Sequence, residues 1–371
     1  MKHIILGNGP AGVVAAETLR RAVPGDDILL VGNEAAPPYS RMAIPYLLEG
    51  NIDESGTWLR KSEVHFDRLG IRQRRGRAVA VNAEKRTVLF DDGHFENYDR
   101  LLIATGSHPV RPPIPGIDLP QAQTCWTLDD ARAIAALAKP GARVLQLGAG
   151  FIGCIIMESL VKRGVQLTVV EMGDRMVPRM MTPKAGGMIK RWVERQGVRV
   201  VTGAGVERIE SGQNSPLTVT LSTGEQLDCD LLIVAAGVAP NVAFLEGTAV
   251  HVAKGVLVDA RMETSVPGIF AAGDIARWPD PLTGQRLRIA HWVVAERQGQ
   301  AAARNMLGRR TPYHAIPFFW TEQYDFALGA CPSNPDFSNG QLGSDVVFSR
   351  HEQVLSSLGC GPGVAVSALG P

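Results

Sequence analysis

The sequence predicts an α/β protein made of two Rossmann-like dinucleotide-binding domains, one inserted in the other, followed by a short atypical C-terminal segment. Two observations carry this expectation. Gly7-Asn8-Gly9-Pro10-Ala11-Gly12 and Gly148-Ala149-Gly150-Phe151-Ile152-Gly153 share one glycine spacing, and each stands between a short apolar run and a helical pattern. The apolar run Leu101-Leu102-Ile103, ending in Ala104-Thr105-Gly106, is echoed by Leu231-Leu232-Ile233-Val234, ending in Ala235-Ala236-Gly237. The echo suggests two similar units.

The first glycine turn follows Ile4-Ile5-Leu6 and opens a helix from about Val13 to Leu19; the second follows Val144-Leu145-Gln146-Leu147 and opens a helix through Leu160. In such a turn the first glycine allows the bend, the second lets backbone approach a pyrophosphate, and the third lets helix pack on strand, so that phosphates meet the helix N-terminus. Glycine turns between strand and helix are common, so the next strand has to supply the confirming residue. Leu167-Thr168-Val169-Val170 ends in Glu171, whose carboxylate accepts from ribose hydroxyls and repels a 2′-phosphate. That favours NADH over NADPH, with Arg175 nearby tempering the preference. Ile28-Leu29-Leu30-Val31 runs into Gly32-Asn33-Glu34, and spacing does not separate Asn33 from Glu34 as the ribose partner.

At 371 residues the chain exceeds one ordinary core, which suggests two or three domains. A hydrophobic content of 45% with 20% charged residues is globular, and a formal net charge of +1 gives no pull toward nucleic acid or anionic membrane. The first strand begins at about Lys2, so no signal peptide is expected. The most apolar stretch, Val144 to Val161, is shorter than a membrane span and interrupted by glycines; a cytoplasmic protein without membrane or nucleic-acid partners follows. Cys125, Cys154, Cys229, Cys331 and Cys360 form no CxxC pair, and neither they nor the eight histidines have metal-ligand spacing. Reduced, mostly buried thiols and no metal are expected.

Along the chain, residues 1–112 supply the first part of the outer domain, including a strand pair Arg77–Val81 and Thr87–Phe90 placed around Asp91-Asp92-Gly93. The proline-rich run from Pro109 to Gly116 is a linker. Residues 113–244 form the inserted domain, 245–314 return to the outer one, and 315–371 form the shortened C-terminal segment. In the return, Gly268-Ile269-Phe270-Ala271-Ala272-Gly273-Asp274 reads as a buried strand leading to a helix, with backbone N–H groups and one carboxylate aimed at a polar ligand; an ordinary helix N-cap at Asp274 stays open beside that reading.

The two fingerprints, Ala104-Thr105-Gly106, Ala271-Ala272-Gly273-Asp274, the run from Trp292 to Gly299 and the run from Pro317 to Tyr324 together resemble the FAD-dependent pyridine nucleotide-disulfide oxidoreductase superfamily. Within it the chain is most similar to NADH-dependent ferredoxin and rubredoxin reductases and the flavin module of nitrite reductase. The resemblance spans about residues 1–330 and implies FAD in the outer domain and NAD(P)H in the inserted one. By position it implies that Gly7, Gly9, Pro10, Ala11 and Gly12 hold the FAD pyrophosphate, with Arg41, Ala104, Thr105, Gly106 and Gly273 among the FAD contacts. Val79 falls where backbone clasps adenine, Asp274 where a carboxylate binds the ribitol, and Trp292 and Val293 where N–H groups meet the pyrimidine edge. Asn33 replaces the usual acidic ribose ligand, so Glu34 is its candidate substitute. On the nicotinamide side it implies Gly148, Gly150, Phe151, Ile152, Gly153, Glu171, Ala236 and Gly237. Trp320 matches an aromatic residue beside the isoalloxazine; without the resemblance it reads as a core aromatic.

Departures are equally informative. Ferredoxin reductases usually place a lysine beside flavin N5, where this chain has Tyr46, and pair it with a glutamate, where this chain has Ile155. Loss of both halves is more coherent than loss of one. Tyr46 thereby becomes, with Trp320, a candidate catalytic-site residue. Ala43-Ile44-Pro45-Tyr46 also resembles the segment following the redox cysteine of coenzyme A-disulfide reductases and NADH peroxidases, but Met42 occupies the cysteine position, and a thioether cannot form a thiolate.

What the resemblance then implies is hydride transfer from NADH to FAD and onward transfer to a small carrier protein, ferredoxin or rubredoxin, or to a quinone-like acceptor, without a redox cysteine. A flavin converts a two-electron donor into one-electron deliveries. The alternative is an FAD/NADH-sensing interaction protein resembling apoptosis-inducing factor. The family's C-terminal domain, which contributes dimer and partner surfaces, is not matched by Cys331 to Pro371, so whether the chain is a homodimer stays open.

Overall fold

The computed structural model describes residues 1–212, 215–281 and 284–314 in full, together with the backbone of strands at 319–323, 326–330 and 346–349. The chain begins with β1 (Lys2–Leu6), α1 (Pro10–Ala22) and β2 (Asp27–Gly32), then the short helices α2 (Ile44–Glu49) and α3 (His65–Arg68) and strand β3 (Arg72–Arg75). A meander β4 (Ala78–Asn82), β5 (Thr87–Phe90) and β6 (Phe95–Asn97) leads to β7 (Arg100–Ile103) and β8 (Ser107–Pro109). The inserted unit runs β9 (Ala122–Gln123), α4 (Leu128–Leu137), β10 (Arg143–Leu147), α5 (Phe151–Lys162), β11 (Gln166–Glu171), α6 (Pro183–Arg195) and β12 (Arg199–Thr202). A second meander, β13 (Val206–Ser211), β14 (Leu217–Leu221) and β15 (Gln226–Cys229), precedes β16 (Leu231–Val234) and β17 (Val238–Pro240). The return supplies β18 (Val256–Leu257), β19 (Ile269–Ala271), β20 (Ala276–Pro279), β21 (Arg286–Leu287) and α7 (Trp292–Met306), and the last strands are β22 (Phe319–Gln323), β23 (Phe326–Ala330) and β24 (Val346–Ser349).

Two parallel sheets result, ordered β19-β7-β1-β2-β3 and β12-β11-β10-β16-β9. Because β19 follows the whole second sheet in the chain yet pairs with β7, the second unit is inserted in the first. The chain leaves and re-enters through one antiparallel ribbon, in which Ser107 on β8 faces Pro240 on β17. Strands covered on both faces read as unbroken apolar runs, and Ile4, Ile5, Ile28, Leu101, Leu102, Ile103, Leu231, Leu232 and Ile233 are all fully buried. Helices α1 and α7 lie in close contact on the first sheet because Gly299 has no side chain: a Cβ there would stand 2.2 Å from the Ala11 carbonyl oxygen. Tyr39, Ile44 and Leu48 of the outer unit are buried in one core with α4 and α5 of the inserted unit, so the two are packed together.

Two expectations are corrected. Asp91-Asp92-Gly93 joins β5 to β6, whereas β4 and β5 are joined through Ala83 to Arg86, where Arg86 itself adopts a φ of 51°. The segment after Asp274 continues into β20 rather than a helix, which removes the helix N-cap reading of that residue. Among the described residues no helix is long and apolar enough to cross a membrane.

Candidate functional site

The two glycine turns have one geometry. Gly7 has a φ of 110° and Gly148 a φ of 100°, in the left-handed region open to glycine. A Cβ would stand 2.0 Å from the Ala104 carbonyl oxygen at Gly7 and 2.5 Å from that of Ala235 at Gly148. At Gly12 and Gly153 it would stand 1.9 and 2.7 Å from the carbonyl oxygens of Gly7 and Gly148, so any side chain would push helix off strand. At Gly9 and Gly150, by contrast, it would meet nothing within 4 Å. That opening leaves room for a diphosphate to approach the backbone. Gly9 and Gly150 are the N-caps of α1 and α5; neither helix has a side-chain cap or an acidic first turn, leaving first-turn N–H groups for an anion.

A cleft of about 260 Å³ runs from the first turn across the ends of β2, β7 and β19 to the start of α7, and α5 forms its other wall. Gly7, Gly9, Pro10, Ala11, Asn33, Glu34, Arg41, Ala104, Thr105, Gly106, Gly273, Asp274 and Trp292 all line it, with Phe151, Ile152, Ile155 and Ile156 opposite and Met42, Ile44 and Pro45 beside them. Ser107 donates a hydrogen bond of 3.0 Å to the Asp274 carboxylate. Burial pushes that carboxyl above the usual carboxylate range, and the Ser107 hydroxyl and the charges of Arg288 and Arg41 oppose the rise. The Gly273 N–H is held by Gln298, 2.9 Å away. A glycine turn with open N–H groups, one buried carboxylate further along and an apolar far end fit the diphosphate, ribitol and ring of FAD in order.

Sequence reasoning missed the network that fixes the rim. Arg41 donates to Glu34 at 2.6 Å, to the Tyr39 hydroxyl at 3.1 Å and to the Trp126 carbonyl, while Tyr39 donates to Glu34 at 2.6 Å. Its guanidinium also lies 5.4 and 5.5 Å from the Tyr39 and Trp126 ring centres. Glu34 is therefore committed to protein partners, whereas Asn33 shares the rim without such ties.

At the second turn the Glu171 carboxylate accepts from the N–H groups of Ala149 and Gly173, each at 2.7 Å, which seats it beside the turn. Buried Gln146 donates to the Gly148 carbonyl at 2.8 Å, a support the sequence did not signal. The guanidinium of Arg175 is held by the carbonyls of Met181 at 2.8 Å and Pro178 at 3.1 Å and by Asp174 at 2.7 Å. Ala236 and Gly237 follow β16 outside the cleft lining, and Gly237 has a φ of 100°.

Other candidates stand apart. Tyr46 is 56% exposed on α2, and Val79 and Val293 are 43% and 41% exposed; none of the three lines the cleft. Trp320 lies on β22, and its side chain falls outside the described residues, as do Cys331 and Cys360. Cys125 lines the cleft, but burial pushes its thiol up to about 12, and burial does the same to Cys154 and Cys229.

A family model for pyridine nucleotide-disulphide oxidoreductases matches residues 1–299. A probable ferredoxin reductase of Castellaniella defragrans is 32% identical over 327 residues, covering 88% of this chain and 80% of its own. The crystal structure of a ferredoxin reductase from Rhodopseudomonas palustris superposes with a TM-score of 0.84 at 29% identity, over 88% of this chain and 81% of its own. The crystal structure of a covalent putidaredoxin reductase–putidaredoxin complex gives a TM-score of 0.84 at 26% identity, over 89% and 81% of the two chains.

Proposed function

The chain belongs to the pyridine nucleotide-disulphide oxidoreductase family, and from that premise we propose that it is an FAD-dependent NADH oxidoreductase delivering electrons to a small carrier protein of the ferredoxin type in the cytoplasm. The observation that carries the reading is a single cleft lined by the first turn, by Asp274 and by the start of α5, with Met42 where a redox thiol would stand. FAD bound there would supply the redox chemistry between a two-electron donor and a one-electron acceptor.

The protein's part is position and electrostatics. Open N–H groups at the start of α1 hold the diphosphate, Asp274 accepts from the ribitol hydroxyls, and Asn33 takes the adenosine ribose while Arg41 keeps Glu34 in place. Trp292 lines the cleft, where its backbone would meet the polar edge of the ring. Opposite, Ile152, Ile155 and Ile156 exclude water from the face where nicotinamide lies, and Glu171 selects NADH. Among the described residues, the apolar wall of Ile152, Ile155 and Ile156 carries no cation where the resemblance would put a lysine–glutamate pair.

Anaerobic titration with NADH, followed by reoxidation with a ferredoxin, a rubredoxin, a quinone and ferricyanide, tests this reading. Yellow protein with one FAD, bleached by NADH and reoxidised fastest by an iron–sulfur carrier, is expected, and Asp274→Ala is expected to lower FAD retention without unfolding. A protein that cannot be reconstituted with FAD, or that stays reduced with every acceptor, sinks the proposal.

A further inference from the structure

The first sheet carries a second concavity at the other end of its strands. The cofactor cleft opens after β7 and β19, whereas this pocket lies before them, at Arg100 and Gly268, separated by about 13 Å of strand. Its volume is about 320 Å³, and Arg86, Arg100, Arg261 and Arg310 line it with one carboxylate, Glu263. None of these four guanidiniums has an ion-pair partner among the described residues, and Glu263 already accepts the Gly268 N–H at 2.8 Å.

Backbone, not acidic side chains, gathers these charges. Buried Asn305 donates to the Arg261 carbonyl at 2.8 Å and to the Thr311 carbonyl at 2.7 Å, and accepts the Thr311 N–H at 2.7 Å, which pins the turn bearing Arg261 to the segment bearing Arg310. Arg100 donates to the Asp99 carbonyl at 2.9 Å, and its guanidinium lies where a Cβ on Gly268 would approach to 3.7 Å. Arg86 is the residue held at a φ of 51°. The C-terminus of α7 nearby is equivalent to roughly half a negative charge, too little to balance four guanidiniums against one carboxylate.

We propose that this pocket binds a small polyanion, a diphosphate or a longer phosphate chain, at a site separate from the cofactor cleft. Guanidinium forks match phosphate oxygens bidentately, and several of them lining one opening favour an anion with more than one charge. The chain is borne either by a free inorganic phosphate or by a nucleotide.

The test is calorimetric titration of the FAD-loaded protein in saturating NAD+, so that the diphosphate openings at both glycine turns are filled, with inorganic pyrophosphate, tripolyphosphate and ADP. One site is expected, weakened about tenfold by Arg261→Ser and again by Arg310→Ser, and unchanged by Arg195→Ser on the other unit. FAD content and the rate of reduction by NADH should be unaltered in these variants. Tighter ADP than pyrophosphate marks the nucleotide as the source, and the reverse marks free phosphate. Absence of binding at about millimolar pyrophosphate, or binding that survives the Arg261→Ser/Arg310→Ser pair or is displaced by NADH, overturns the proposal.

Discussion

Arg163, just past the end of α5, donates to the Leu48 carbonyl at the end of α2 across 2.7 Å, while its remaining nitrogens reach the Ala138 and Ala135 carbonyls at the end of α4, at 3.0 and 2.9 Å. One fork thus closes the ends of α2 and α4 and ties both to the end of α5, across the two units. Beside it, Glu49 accepts from Ser159 at 3.2 Å and Lys162 at 3.1 Å. The latch matters because α2 presents Ile44 and Pro45 to the cleft and α5 presents Ile152 and Ile155 opposite them.

Arg163→Ala should therefore leave three carbonyls without their donor and cost roughly 1–3 kcal/mol of stability. It should also slow flavin reduction by NADH at unchanged FAD content, since small displacements of a reacting pair are costly. Lysine cannot serve three carbonyls from one fork, so Arg163→Lys should recover only part of both losses. Thermal melts and stopped-flow bleaching of the flavin check this; a variant with a lowered melting point but a wild-type reduction rate would separate the latch from the cleft.

In the proposed function, cofactor choice rests on Glu171. Its carboxylate is fixed by two backbone N–H groups, and Arg175, the residue that tempers the preference in the sequence, is engaged by two carbonyls and Asp174. Glu171→Gln, which keeps the shape and removes the charge, should narrow the NADH-to-NADPH ratio of kcat/KM by about tenfold without inverting it. Equal use of both cofactors by the wild type would show that Arg175 leaves its carbonyls when NADPH arrives.

The glycine turns were legible because local geometry dictates them: a left-handed bend, an opening and a close helix contact need glycine at fixed spacing, whatever the rest of the chain does. The insertion was legible from the repeated strand endings. The rim was not, since Arg41 meets the Trp126 carbonyl across 85 residues of sequence, a relation no local pattern encodes. Turn chemistry misled at β4–β5 for a physical reason: Arg86 takes the positive φ there, while the visible Asp-Gly signal belongs to the next turn. Past the turn at Asp274 and Ile275, the buried Ala276 and Trp278 continue the chain as strand, and a short apolar run does not by itself separate strand from helix.

Acid stability should fall through Glu17. It accepts from Arg60 at 2.6 and 2.8 Å and from His65 at 2.9 Å, binding α1 to the segment before α3. Burial pushes its carboxyl up, but these partners outweigh burial and hold it below the ordinary glutamate value. A depressed folded-state value contributes stability that is complete above the unfolded pKa of about 4.3 and is lost as pH falls through the folded one. Glu17→Gln should therefore be less stable than wild type at neutral pH, with the gap closing below about pH 4. Melting curves from neutral to acid pH measure the gap; a difference independent of pH would assign the loss to packing instead.

Replacing all five cysteines with serine should leave electron transfer from NADH to an acceptor largely intact. Met42 lines the cleft where the resemblance to coenzyme A-disulfide reductases and NADH peroxidases would put a redox cysteine, and a thioether cannot exchange with a disulfide. Cys125 is the one described thiol on the cleft, yet burial and the Asp130 charge push its pKa up to about 12, so almost none is thiolate at neutral pH. Cys154 is likewise raised to about 12 by burial and the Glu171 charge. Steady-state reduction of ferricyanide and of a ferredoxin, normalised to FAD content, checks the expectation, because normalisation removes losses that come only from packing serine into buried sites. If the rate collapses at full FAD occupancy, single restorations at Cys125 and Cys154 would identify the thiol that takes part, and direct transfer from flavin to carrier would have to be given up.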